Sequence, residues 1–126
     1  MEIKRSELSE CELTIMKCVW DAKEPVTCPQ IMTELETKYG LNYKDTTVYT
    51  FLKNLKNKGF VESERNGLTY YSPIRSEEEY RAEMLKKTED FWFGGSVMKF
   101  ASALVGMREI SEEERNELKK MIDELE

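Results

Sequence analysis

The sequence predicts a mainly α-helical chain with one small β-hairpin, divided at Pro73 into two parts, residues 1–73 and 74–126. Three observations point to it. Helix-start signals at Ser9, Thr27, Ser76 and Ser111 each precede apolar residues at helical spacing. One Asn-Gly pair, Asn66-Gly67, lies between two short stretches of strand-like character. Pro73 then separates this hairpin from a segment whose large apolar side chains exceed what its length can bury.

Ser9-Glu-Cys-Glu12 forms a capping box, with Leu8 and Leu13 placed for a hydrophobic staple. The helix that follows carries Leu13, Met16, Val19 and Trp20 on one side, and Pro25 is expected to end it. Thr27-Cys-Pro-Gln30 starts a second helix, with proline in the first turn where its missing N–H costs little. Ile31, Met32, Leu35 and Tyr39 form its apolar stripe, and Gly40 stops it. A third helix runs from about Asp45 to Lys58, with Val48, Leu52 and Leu55 inward, Phe51 beside them, and Gly59 as terminator.

Then the period changes. Phe60–Arg65 and Leu68–Ser72 flank the Asn-Gly turn, in which both positions are expected at positive φ. Three helices followed by a hairpin is the order of a winged helix-turn-helix. Beyond Pro73, Tyr80, Met84, Phe91 and Trp92 are the apolar positions of a fourth helix, and Gly94-Gly95 interrupts it. Ser96 starts a short helix carrying Val97, Met98, Phe100, Ala101, Leu104 and Val105. In the last helix Leu118, Met121, Ile122 and Leu125 recur at heptad-like spacing. Mutual burial of this helical region in a symmetric homodimer is the expected solution, and packing back on the first part is the alternative.

Apolar residues make up 40% of the chain and charged residues 35%, a globular composition. No apolar stretch approaches the ~20 residues that span a bilayer, and no basic-then-apolar leader opens the chain. A cytoplasmic protein without a membrane partner is expected. Net charge is −6, which taken alone opposes a nucleic-acid partner. The distribution of that charge points the other way. Residues 73–126 hold 9 Lys/Arg against 14 Asp/Glu, whereas residues 38–58 hold five lysines against the single acid Asp45.

That basic segment contains the third helix. With Val48, Leu52 and Leu55 inside, its outer face presents Thr46, Thr47, Tyr49, Thr50, Lys53 and Asn54, with Lys44 just before it. Hydroxyls and amides can pair with base edges, and lysines can neutralise phosphates. A helix N-terminus also attracts phosphate through its unpaired amides. Arg65 at the wing tip would meet a phosphate or the minor groove. Double-stranded operator DNA is the partner these residues point to. A protein-interaction winged helix with an acidic helical docking region is the alternative.

Histidine is absent, and with it the usual general base. No phosphate-binding glycine loop or convergent catalytic set is visible, so no enzyme, cofactor or metal site is expected. Cys11, Cys18 and Cys28 lack paired spacing and are read as small hydrophobes, with a redox or soft-metal sensor as the alternative.

Glu12–Trp20, Thr46–Val61 and Tyr70–Pro73 resemble the penicillinase and methicillin-resistance repressor family (BlaI/MecI type), and Phe93-Gly-Gly95 with the capped last helix extends the likeness over nearly the whole chain. The Thr-Thr-Val-Tyr-Thr helix followed by Lys-Gly-Phe-Val is its most specific part. The resemblance implies an N-terminal winged helix, a C-terminal helical dimerisation region and a palindromic operator. For the antibiotic-resistance members it implies release by cleavage of an Asn-Phe bond in the dimerisation region. The corresponding place here, Ala103-Leu104, has no Asn-Phe pair. Copper-responsive members carry a cysteine-rich C-terminal site, and no cysteine follows Cys28.

Overall fold

A computed structural model describes residues 8–125. It has the order α1 (Glu10–Asp21), α2 (Cys28–Tyr39), α3 (Asp45–Asn57), β1 (Val61–Asn66), β2 (Leu68–Pro73), α4 (Glu77–Phe93), α5 (Val97–Gly106) and α6 (Glu112–Asp123). The start of the expected 1–73 domain and the expected absence of a leader fall partly on residues 1–7, outside the described residues. Among the described residues no helix is long and apolar enough to cross a membrane. The chain forms two compact units, Met1–Arg81 and Ala82–Glu126.

In the first unit the expected start signals close α1 and α2. The Ser9 hydroxyl accepts from Glu12 N–H at 3.2 Å while Ser9 N–H donates to the Glu12 carboxylate at 2.9 Å. Thr27 and Gln30 make the same reciprocal pair. The inner face of α1 differs from the expected one. Glu12, Ile15, Met16, Cys18 and Val19 are buried, whereas Leu13 and Trp20 are half-buried. The stripe is Glu12, Ile15, Met16, Val19, and counting apolar residues misses it because its first member is a carboxylate.

Glu12 is held there by two donors on one oxygen, Ser9 N–H and the Lys58 ammonium at 2.7 Å. Burial alone pushes its carboxyl pKa up, but the Lys58 and Ser9 hydrogen bonds outweigh it and hold the group below its ordinary value. This pair ties the start of α1 to the end of α3.

Helix α1 ends at Asp21, ahead of Pro25, because the chain must turn so that Val26 can pair with β2. Val26 and Tyr71 exchange both backbone hydrogen bonds, at 2.9 and 2.7 Å. In α2, Ile31 and Leu35 are buried, Met32 is half-buried, and Tyr39 is exposed beside the left-handed cap Gly40. Strands β1 and β2 pair antiparallel from Val61↔Pro73 to Asn66↔Leu68. Only Gly67 lies at positive φ, 78°, so the turn is not the two-residue form expected. Asn66 stays within β1. Ile15, Met16, Ile31, Leu35, Val48, Leu52, Leu55, Phe60 and Val61 are each no more than 1% exposed and form one core.

The boundary of this unit lies beyond Pro73, at Arg81, because the first turn of α4 belongs to the head. Tyr80, expected on the dimerisation surface, is 4% exposed. Its ring packs against Trp20 and Phe60, at centroid distances of 5.9 and 5.5 Å. It is a core residue of the head.

In the second unit Gly94 and Gly95, both at positive φ, end α4, with Gly95 N–H returning to the Glu89 carbonyl at 2.9 Å. Ser96 caps α5, and a Ser111–Glu114 capping box opens α6. Phe93 and Phe100 stack at 5.1 Å across the Gly-Gly turn. Among its described residues none is buried.

Candidate nucleic-acid interface

The candidate site is built on α3. Val48, Leu52 and Leu55, each no more than 1% exposed, seat its inner face and fix its rotation. Thr46, Tyr49, Thr50, Lys53 and Asn54 are then exposed, and Thr47 is half-buried at the flank. Thr46, Thr50, Lys53 and Asn57 fall at i, i+4, i+7, i+11 and form the most outward line. The hydroxyl-rich first turns do not point to Asn57, which lies at the far end of that line. The Thr50 hydroxyl donates to the Thr46 carbonyl at 2.9 Å, which leaves its oxygen free to accept.

Tyr49 sits differently from its neighbours. Its hydroxyl hydrogen-bonds with the Cys28 thiol at the start of α2, and proximity to that thiol raises the phenol pKa. The residue as a whole is 45% exposed. An exposed ring face with an anchored hydroxyl suits van der Waals contact with a partner better than polar contact.

The N-terminus of α3 is unlike those of its neighbours. Lys44 occupies the cap position with no side-chain cap hydrogen bond, whereas α1 and α2 both begin with closed capping boxes. First-turn amides of α3 therefore lack a side-chain acceptor, beside an exposed lysine. Such an end favours an anionic oxygen.

The wing adds the rest. Side chains alternate along β1, so Val61, Ser63 and Arg65 share one face and Glu62 and Glu64 the other. The Lys56 ammonium bonds the Ser63 hydroxyl at 2.9 Å, which identifies the first face as the one beside α3. Arg65 is exposed on it, close enough to Tyr49 to influence the phenol. Across the hairpin Thr69 pairs with Arg65 and shares its face. The two carboxylates point away. Of the five lysines counted in this segment, Lys38 pairs with Glu34 at 3.2 Å and Lys58 with Glu12, so both are committed to the head itself. Lys56 holds Ser63, and among the described residues Lys44 and Lys53 have no ion pair.

Cys18 and Cys28 are buried, and burial pushes the Cys18 thiol up to about 11, helped by Glu34 and Asp21. Cys11 is half-buried with its sulfur 3.0 Å from the Tyr43 hydroxyl. Cys18 packs as a small hydrophobe, whereas Cys11 and Cys28 each face a tyrosine hydroxyl.

The other candidate residues lie in the second unit. Phe91 and Trp92 are 79% and 72% exposed, and Leu104, Met121, Ile122 and Leu125 are exposed as well. Met84, Phe100 and Leu118 are half-buried. Leu85, Val97, Met98, Val105 and Met107 join this uncovered apolar set.

Residues 8–124 match the family model described as penicillinase repressor. The chain resembles the solution structure of the DNA binding domain of the repressor BlaI, with 25% identity and a TM-score of 0.50, over 60% of this chain and 89% of that one. It also resembles the Bacillus licheniformis BlaI monomeric form in complex with the blaP half-operator, with 25% identity and a TM-score of 0.48, over 59% and 88%. The complex structure of hsRosR-S4 aligns over 98% of this chain and 94% of that one, with 18% identity and a TM-score of 0.60, a likeness of fold. No match was found among curated proteins.

Proposed function

The chain belongs to the penicillinase repressor family and is a DNA-binding transcriptional regulator, and we propose that it works in the cytoplasm as a homodimer that represses transcription by occupying a palindromic operator. The observation that carries this reading is the outer face of α3, a line of hydroxyl, amide and ammonium groups on a helix whose rotation the core fixes. Laid in the major groove, Thr46, Thr47, Thr50 and Asn54 meet base edges while Lys44 and Lys53 neutralise flanking phosphates. Tyr49 lends its ring face. Arg65 on the wing reaches the adjacent phosphate or minor groove.

The uncovered apolar residues of the second unit support the homodimer. Each large side chain taken out of water stabilises an association by roughly 1.5–3 kcal/mol at full burial. A second copy would supply the missing half of that core through Met84, Phe91, Trp92, Phe100, Leu104, Leu118, Met121, Ile122 and Leu125. Two-fold symmetry then places two α3 helices in successive major grooves, about 34–36 Å apart. A two-fold arrangement requires a palindromic site.

The test is a salt series of binding isotherms on the promoter of the protein's own gene cluster. With ~4 phosphate contacts per subunit, log K falls against log salt with a slope near −7. No binding to that promoter at low salt would overturn the reading.

A further inference from the structure

One side of α3 is turned toward the wing. Lys56 on that side bonds Ser63 of β1 at 2.9 Å, and Tyr49, about two turns earlier, lies on the same side of the helix. Strand β1 runs back along α3, so Arg65, which shares the face of Ser63, comes close to Tyr49. Tyr49 therefore stands where the reading face meets the wing, and it is exposed. Phe51, on the opposite flank of α3, is half-buried with its ring 6.2 Å from that of Tyr43.

A large side chain on an exposed flank ordinarily keeps its rotamer freedom. Tyr49 is tied at its tip. Its hydroxyl meets the Cys28 thiol, and that sulfur belongs to a fixed part of the head. Cys28 is 1% exposed and opens α2 directly after Thr27, which closes the capping box with Gln30. Just before them, Val26 exchanges both backbone hydrogen bonds with Tyr71 of β2. Tyr71, 9% exposed, lies near both Tyr49 and Cys28. Three elements, α2, α3 and β2, thus converge on the tip of one exposed side chain. The tie directs the hydroxyl toward the head and leaves the ring as the part open to a partner. Among the base edges of the major groove, the apolar group is the C5-methyl of thymine.

We propose that Tyr49 reads a thymine through its C5-methyl group and that Cys28 is the positioning residue that holds the ring for that contact. This rests on the major-groove reading above, though not on the dimer. Threonine hydroxyls pair with donors and acceptors alike, so a ring held over a methyl group adds discrimination that Thr46, Thr47 and Thr50 lack. A ring released from its tie still covers apolar surface but is no longer held at one base.

The test uses the full chain and a half-site duplex recovered by selection from random DNA, with each thymine replaced in turn by deoxyuridine, which removes only the methyl group. Wild type is expected to lose about fourfold in affinity at one position, the worth of one apolar carbon taken out of water. Tyr49→Ala is expected to be insensitive at that position while responding as wild type does at the others. Cys28→Ala and Tyr49→Phe cut the tie from either side. Each is expected to reduce the methyl effect to about twofold, and the double variant to fall no further, because all three remove the same interaction. Cys28→Ser keeps a hydrogen-bonding group and is expected to retain more of the effect than Cys28→Ala. If Cys28→Ala fails to fold by circular dichroism, Tyr49→Phe alone decides. A methyl effect that these variants leave at the wild-type level overturns the positioning role. A wild-type chain equally tight on every deoxyuridine duplex, or a methyl effect that survives Tyr49→Ala, overturns the contact itself. Wild type that binds no selected duplex instead overturns the major-groove reading on which the proposal rests.

Discussion

The two units of this chain share the same local helix signals and have opposite packing. In the head, α1, α2, α3 and the turn into β1 all contribute side chains no more than 1% exposed. In the second unit, α5, α6 and the part of α4 beyond Arg81 bury nothing among the described residues, and Phe91 and Trp92 stand open to solvent. Capping boxes, glycine stops and apolar periodicity are present in both. Local signals therefore specify where helices begin and end, but not whether a core is complete. The head closes a buried core; the second unit leaves its large apolar side chains uncovered.

Substitutions that separate the two units test this difference, and the largest effect belongs to the head. Phe60→Ala removes the ring on which Tyr80 and Arg75 rest, and is expected to cost about 3–5 kcal/mol in urea unfolding. A loss of less than about 1 kcal/mol, the range of ordinary surface changes, would mean that Phe60 is not central. Leu104→Glu makes the converse change. It should leave the thermal unfolding of the head near wild type while weakening self-association by at least about 2 kcal/mol in sedimentation equilibrium. Equal damage to both would erase the distinction between the units.

The Glu12–Lys58 pair sharpens the comparison within the head. Lys58→Met is expected to cost about 2 kcal/mol, as for a hydrogen bond to a charged group. Because Glu12 titrates lower in the folded chain than unfolded, its contribution is fully present above the ordinary carboxylate pKa and fades as pH falls through the lowered value. In Glu12→Gln the acid-side loss of stability should be smaller than in wild type. An unchanged acid limb would mean that the pair does not stabilise the head.

Effects of comparable size lie on α3, where they are read on DNA rather than on stability. Asn54→Ala is expected to relax preference at one base by about 1–3 kcal/mol. Lys53→Ala should weaken binding to all sequences alike and reduce the salt slope by about 1 for each lysine. If both variants reduce specific and random DNA binding equally, the assignment of base and phosphate contacts is wrong.

Much of the head is legible in the sequence because its signals are local. Ser9–Glu12, Thr27–Gln30 and Val48–Leu52–Leu55 act within one helical turn or two, and α3 with its outward face follows from them. What escapes depends on distant partners. Glu12 is readable as a cap, but its place in the core requires Lys58, 46 residues away. Tyr80 looks like a member of the apolar set of α4, yet it belongs to Phe60 and Trp20. Pro73 marks the end of β2, whereas the compact unit runs on to Arg81 because side chains of α4 reach back. The Asn66-Gly67 pair locates the turn but not its form, since the register leaves Gly67 alone at the tip. Asn57 is passed over because only the full helical line from Thr46 reveals it.

The claim that joins both units is that the open second unit is completed by a second copy when the head is on DNA. Sedimentation velocity of the full chain, alone and with a selected palindromic duplex at moderate salt, measures it directly. Two chains on each palindrome, and a dimer in the absence of DNA that Leu104→Glu dissociates, is the result expected. One chain on each palindrome, with the free protein monomeric at the same concentration, would contradict it.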